Sequence, residues 1–225
     1  MSSANSPARS VAITDAALPT VSAEPARTNH PQSFASPVDL SISDNSGYTV
    51  GRSTIVWALW YFIGSPLFKS YYLPFSSLKK SILSLFGASI GVGVYLKPGI
   101  KVKFPWRLSV GEHSWIGEDV WIDNMAHVTI GSNACVSQGS YICTGNHNWS
   151  SRNMKLFTKP VRIENGAWVA ARSTVCPGIT IGEAAILTAS SVAGKSIPPF
   201  QIWSGNPATY MRNRQFEDGS QKPLN

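Results

Sequence analysis

Imidazole is the side chain best suited to taking a proton from a hydroxyl near neutral pH, because its unperturbed pKa is about 6.5. The chain has four: His30, His113, His127 and His147. His147 stands in the run Thr144, Gly145, Asn146, His147, Asn148, at the head of a polar segment, 146–160, too long for a tight turn. His127 closes the similar run Asn124, Met125, Ala126, His127. His113 falls inside a regular apolar pattern, and His30 lies in a stretch rich in Ser, Ala, Pro and Thr. A loop histidine is therefore the candidate base, and the amides of Asn124 and Asn146 are candidate partners for a polyol. Asn at a tight corner can equally serve its tolerance of left-handed backbone angles. The three cysteines, Cys135, Cys143 and Cys176, form no CxxC pair and leave an odd count, which argues against a disulfide framework or a structural zinc cluster. They read as small packing residues in a reducing cytosol.

The elements that must position these groups show in a repeat. From Val110 an aliphatic residue recurs every six positions: Val110, Ile116, Ile122, then Ile130, Val136, Ile142, and later Ile163, Val169, Val175, Ile181, Leu187. Glycine follows directly at Gly111, Gly117, Gly131 and Gly182, and the fifth position is mostly small, at Ser114, Ala126, Ala134, Ser140, Ala167, Ser173, Ala185 and Ser191. A period of six fits neither an α-helix nor a long alternating strand, so each hexad predicts one short strand and one turn. Three hexads close one triangular coil, with the aliphatic residues stacked inside about 4.8 Å apart. The register slips by two residues at Val128 and Thr129 and breaks at 146–160. Insertions in a solenoid gather on one edge, often the binding edge, and His127 and His147 both end the third hexad of a coil.

Composition agrees with many short strands: 18 Gly and 15 Pro are more turn-formers than a helical bundle tolerates. The net charge of +7 suits a phosphorylated partner, but no recognition helix or interleaved basic and aromatic groove accompanies it, so nucleic acid is set aside. Residues 1–45 show no apolar signal region and read as a disordered leader. Residues 46–89 hold an apolar aromatic run, Ile55 to Ile63, and a segment with Leu78, Ile82, Leu83 and Phe86 at helical spacing, with Lys79 and Lys80 on the other side. The run is shorter than the about 20 residues that span a bilayer. It predicts either a helical cap or a membrane-interfacial segment over 55–86.

From about Ile90 to Arg212 the sequence resembles the hexapeptide-repeat acyltransferase superfamily. Phe104 to Arg107, Trp115 to Asn124, Ser137 to His147 and the ending with Pro198, Pro199, Gly205, Asn206, Pro207 and Ala208 are similar to the colanic-acid-type exopolysaccharide O-acetyltransferases. The resemblance implies an all-β, left-handed parallel β-helix over 90–212 and a polar tail over 213–225. It implies a homotrimer with active sites between subunits, cytoplasmic or peripheral at the inner face of the cytoplasmic membrane. The activity implied is transfer of acetyl from acetyl-CoA to a hydroxyl of a sugar or lipid-linked oligosaccharide, with no metal. His147 matches the family's general base, with Asn124, Asn146 and His127 placed to meet the acceptor. Ala171 matches the position of an oxyanion donor where relatives often carry Ser. Ala189 and Ser190 are small enough for a pantetheine arm to lie close, and Lys195 and Arg212, with Arg214 near them, match the phosphate contacts.

Two other readings use the same coil. A zinc enzyme of the γ-carbonic-anhydrase type needs three converging histidines, and His113 occupies a different hexad position from His127 and His147. A non-catalytic scaffold for polysaccharide enzymes leaves His147 and its long loop without a purpose.

Overall fold

The computed structural model describes residues 36–43, 45 and 47–217. From Ser89 onward, short parallel strands stack into the three faces of a triangular prism. The first face is built from Ser89–Ile90, Leu108–Val110, Val128–Ile130, Val161–Ile163 and Thr180–Ile181. The second holds Tyr95–Leu96, Trp115–Ile116, Cys135–Val136, Trp168–Val169 and Ile186–Leu187, and is closed by the antiparallel pair Gln201–Gly205 and Ala208–Asn213. The third holds Lys101–Val102, Trp121–Asp123, Tyr141–Cys143, Thr174–Val175 and Val192–Ala193.

Register places the repeating aliphatics in three internal ladders. Ile90, Val110, Ile130, Ile163 and Ile181 form one; Leu96, Ile116, Val136, Val169 and Leu187 the second; Val102, Ile122, Ile142, Val175 and Ala193 the third. All but Ile90 are buried. Each buried Val, Leu or Ile among them contributes about 1.5–3 kcal/mol before chain entropy is charged against it. The coil thus begins one turn before Val110, at Ile90.

The residues after each aliphatic explain how coils stack at about 4.8 Å. A Cβ on Gly117 would meet the backbone nitrogen of Gln138 at 2.5 Å, so only glycine lets the next turn lie there. The small fifth position tucks beneath a corner, and where it is serine the hydroxyl satisfies a neighbouring carbonyl, as Ser114 does to Gly131 at 2.6 Å and Ser173 to Thr188 at 2.7 Å.

All the irregularity gathers on the corner between the third and first faces. It carries the 3-10 turn Pro105–Arg107, the 124–127 bend that produces the register slip, and the 144–160 excursion. Asn124 and Thr144 hold this corner together from inside. Asn124 accepts from the Phe104 N–H at 2.9 Å and donates to its carbonyl at 2.6 Å. Thr144 Oγ1 donates to the Asp123 carbonyl at 2.8 Å and accepts from the Ala126 N–H at 2.9 Å.

Ahead of the prism, Thr54–Leu59, a π-helical turn Trp60–Gly64 and Ser65–Lys69 run as one helix, followed by Ser76–Leu85. Trp60, Phe68 and Leu83 are buried in the common core, and the Trp60 indole donates to the Lys103 carbonyl at 3.0 Å, so the helices pack against the first coil. Gly64 is required there, since a Cβ would run into the Trp60 ring. Lys79, expected on the polar side, is instead wholly buried and bonded to the carbonyls of Phe68 and Ser70 at the end of the preceding helix, while Leu78 and Leu85 are exposed. Burial holds its ammonium below the usual lysine range. Among the described residues no helix is long and apolar enough to cross a membrane.

Part of the stretch expected to be leader, 36–43, is among the described residues. Asp39 caps the turn Leu40–Ile42 and its N–H bonds the Arg152 carbonyl at 2.9 Å, so this stretch lies against the 144–160 excursion. Most of the leader, His30 included, and most of the 213–225 tail lie outside the described residues.

Candidate active site

The 146–160 segment, expected to be an irregular loop, is largely a β-hairpin: Gly145–His147 pairs antiparallel with Leu156–Thr158. Its first strand continues directly from Tyr141–Cys143 on the third face, so the prism itself aims it outward. His147 is exposed, and its Nδ1 lies 2.6 Å from the Met154 carbonyl oxygen. A carbonyl can only accept, so Nδ1 carries the proton and Nε2 keeps its lone pair. The short connection that supplies this carbonyl is folded by Asn148, which takes the Ser150 N–H on its side chain and gives its own N–H to Lys155, and by Met154 itself at φ 45°.

Directly opposed residues of an antiparallel pair share a face and neighbours alternate. His147 opposite Leu156 and Gly145 opposite Thr158 therefore lie on one side of the hairpin, and Asn146 with Phe157 on the other. Asn146, expected beside His147 at the acceptor, instead faces away from it and uses its Oδ1 to hold the His147 N–H at 2.7 Å. Asn124, expected to meet a sugar, is completely buried with its amide spent on Phe104, and so is a structural corner residue.

His127 is exposed and borders a cavity of about 400 Å³ lined by Tyr48, Arg107, Met125, Thr158 and Pro160 among others. Arg107 bonds the carbonyls of Met125 and Thr49 and the Tyr48 hydroxyl, which ties the segment before the first helix across this cavity. Thr158 places the cavity on the same side of the hairpin as His147. Tyr48 and Met154 carry no signal in the sequence, because one acts through a partner distant in the chain and the other through its backbone, and Arg107 was visible there only as part of the Phe104 to Arg107 resemblance.

The positions matched to coenzyme A are divided between two corners. Ala171, Ala189 and Ser190 line the corner between the second and third faces, where the Ser190 N–H bonds the Ala171 carbonyl at 2.9 Å and Ser190 holds φ 58°. The Ala171 N–H has no hydrogen-bond partner among the described residues, which leaves a backbone donor free at that corner. Lys195 is on the same corner as His147, two coils further along, where it borders a largely apolar cavity of about 280 Å³ walled by Trp203, Pro207 and Tyr210. Arg212 is exposed opposite Ile202 and does not line that cavity. Arg214 turns inward, donating to the carbonyls of Gly166 and Ala184, and so fastens the last strand.

His113 sits at the corner between the first and second faces with φ 57°, away from His127 and His147. Among the described residues no three His, Cys, Asp or Glu side chains are grouped to hold a metal ion. Burial, with Cys143 beside it, pushes the Cys176 thiol up, away from thiolate chemistry.

Over 178 residues the chain is 34% identical to the putative colanic acid biosynthesis acetyltransferase WcaF of Escherichia coli (strain K12), spanning 77% of this chain and 98% of that protein. It is 24% identical over 143 residues to the galactoside O-acetyltransferase of the same organism, spanning 62% of this chain and 70% of that one. A hexapeptide-repeat acetyltransferase from Vibrio cholerae O1 biovar eltor, solved with acetyl coenzyme A, superimposes with a TM-score of 0.64 at 21% identity over 74% of this chain and 92% of its own. That likeness shows a shared fold, the left-handed parallel β-helix. No protein-family model matches the chain.

Proposed function

Because this chain belongs to the hexapeptide-repeat acetyltransferases, in the branch of the colanic-acid type, we propose that it moves acetyl from acetyl-CoA to a sugar hydroxyl in exopolysaccharide assembly, with His147 as general base. The observation that carries the mechanism is the bond from His147 Nδ1 to the Met154 carbonyl. Acetyl-CoA supplies the activated thioester. Nε2 takes the proton as the acceptor oxygen bonds to the acyl carbon and the carbon–sulfur bond breaks, and the same proton then goes to the departing sulfur. The Ala171 N–H, free of any protein acceptor among the described residues, donates in this reading to the acyl oxygen as it gains charge, a contribution of about 3 kcal/mol when such a donor is well aimed. Ala189 and Ser190 leave room beside it for a slender arm, and Lys195, with Arg212 beyond its cavity, offers charge to the phosphates. His127 borders the acceptor side.

His147 and Ala171 occupy different corners of one prism, so within a single chain the base and the donor face different ways. A homotrimer, in which the His147 corner of one copy meets the Ala171 corner of the next, completes the site. The exposed column Tyr95, Trp115 and Trp168 on the second face, at 47%, 63% and 41% exposure, offers apolar area for such contacts. The exposed side of the first helix, with Ile55, Leu59, Phe62 and Ile63, supports peripheral contact with the inner face of the cytoplasmic membrane.

Calorimetric titration with acetyl-CoA, alongside a zinc assay of the same sample, tests this reading. Saturable binding near one per subunit supports it. No binding, with stoichiometric zinc, would return the chain to the zinc-enzyme reading and make His147 a ligand.

A further inference from the structure

A third hollow lies between the first helix and the third face, on the outside of the earliest coils. Its volume is about 380 Å³, and its walls include Trp57, Tyr61, Trp121, Lys69, Lys101 and Lys103. Trp57 and Tyr61 are stacked at 5.5 Å on the helix side. Across from them Trp121 is 45% exposed, with the Lys101 ammonium 5.9 Å from its ring centre. Lys103 is held by Asp123 at 2.9 Å. Lys69 and Lys101 have no carboxylate within ion-pairing distance among the described residues, and they also border an adjoining hollow beside Tyr71 and Tyr72. Asp119, the acid of that hollow, accepts a hydrogen bond from the Tyr71 hydroxyl. Two unpaired ammonium groups thus stand between two aromatic hollows.

Each part of this surface selects a chemistry. Aromatic faces suit the apolar faces of sugar rings. Compact ammonium charges suit phosphate, whereas a planar carboxylate is better met by the arginine fork. The same helix that forms one wall turns Ile55, Leu59, Phe62, Ile63 and Leu67 to solvent, at 46–73% exposure, which suits burial at a lipid surface. Position links the hollow to His147: Trp121 packs on Tyr141 one coil along at 4.7 Å between ring centres, and the strand of Tyr141 runs on into the hairpin that carries His147.

We infer that this hollow receives the phosphate end of a lipid-linked saccharide acceptor. The phosphate sits between Lys69 and Lys101, the first sugar stacks on Trp121, and the lipid follows the exposed side of the helix into the membrane, so that later sugars extend toward His147. The inference rests on the acetyltransferase reading and names the class of acceptor that reading leaves open.

The test compares sedimentation of the full chain with phosphatidylcholine vesicles that are plain, doped with polyprenyl phosphate, or doped to the same charge with phosphatidylglycerol. Acetyl-CoA binding is measured on the same preparations. The expected result is preferential association with the polyprenyl phosphate vesicles, a loss of about ten-fold or more in the Lys69→Ala/Lys101→Ala variant, and acetyl-CoA binding equal in both proteins. Equal association with both anionic vesicles, unchanged association of the variant, or full displacement by soluble glucose 1-phosphate would overturn the inference. Trp121→Ala, which should weaken association while Lys103 and Asp123 stay paired, checks the sugar-facing wall with a phosphate-linked disaccharide lipid in place of polyprenyl phosphate. An unchanged affinity there would overturn the stacking role. Failure of the wild-type chain to bind acetyl-CoA would count against the acetyltransferase reading, while the vesicle comparison would still decide the hollow.

Discussion

The imidazole Nδ1 of His147 lies 2.6 Å from the carbonyl oxygen of Met154, seven residues further along the same hairpin. That contact turns a mobile surface histidine into an oriented one, with Nε2 free and unprotonated in the neutral ring. Nitrogen-15 NMR of histidine-labelled protein should therefore show His147 as the Nδ1–H tautomer at alkaline pH. The Nε2–H form there would mean that the carbonyl contact is not kept in solution.

The separation of His147 and Ala171 onto two corners makes a subunit-level prediction. His147→Ala and Ala171→Trp should each be inactive alone, because one removes the base and the other fills the opposite corner. Co-refolded in equal amounts, random mixing in a trimer leaves about a quarter of the sites with both native halves. Recovery of activity near that fraction supports a site shared between copies. No recovery in demonstrably mixed oligomers would place both halves in one chain.

Asn124 makes a contrasting prediction. Asn124→Ala leaves the N–H and carbonyl of Phe104 without their buried partners, which costs about 1–3 kcal/mol for each group. The melting temperature should fall, and the Michaelis constant for the acceptor should stay near its native value at temperatures where the variant is folded. A native melting temperature with a raised acceptor constant would restore Asn124 to the sugar.

These outcomes show which kinds of information the sequence carries. The ladders were legible because every coil repeats the same requirement, an inward aliphatic and a glycine where the next turn passes, so Ile116, Gly117 and Val136 announce the prism without reference to anything else. The first coil at Ile90, Leu96 and Val102 obeys the same spacing, set off from the rest by the Pro105–Arg107 turn, and the resemblance running from Ile90 already included it. The excursion carrying His147 was legible as an interruption. Its hairpin pairing was not, because Leu156–Thr158 is too short to declare itself as a strand. Asn124 and Lys79 were misread for one reason: a polar side chain looks solvent-facing until its partners are known, and those partners are backbone groups of Phe104, Phe68 and Ser70 that no side-chain pattern reveals.

The most direct test of the central claim is the rate of coenzyme A release from acetyl-CoA in the presence of an acetylatable saccharide, native chain against His147→Ala. Loss of the base should lower turnover by about 100-fold to 10,000-fold while acetyl-CoA affinity and oligomeric state stay unchanged. Turnover within a few-fold of native would contradict the account and remove His147 from the chemistry.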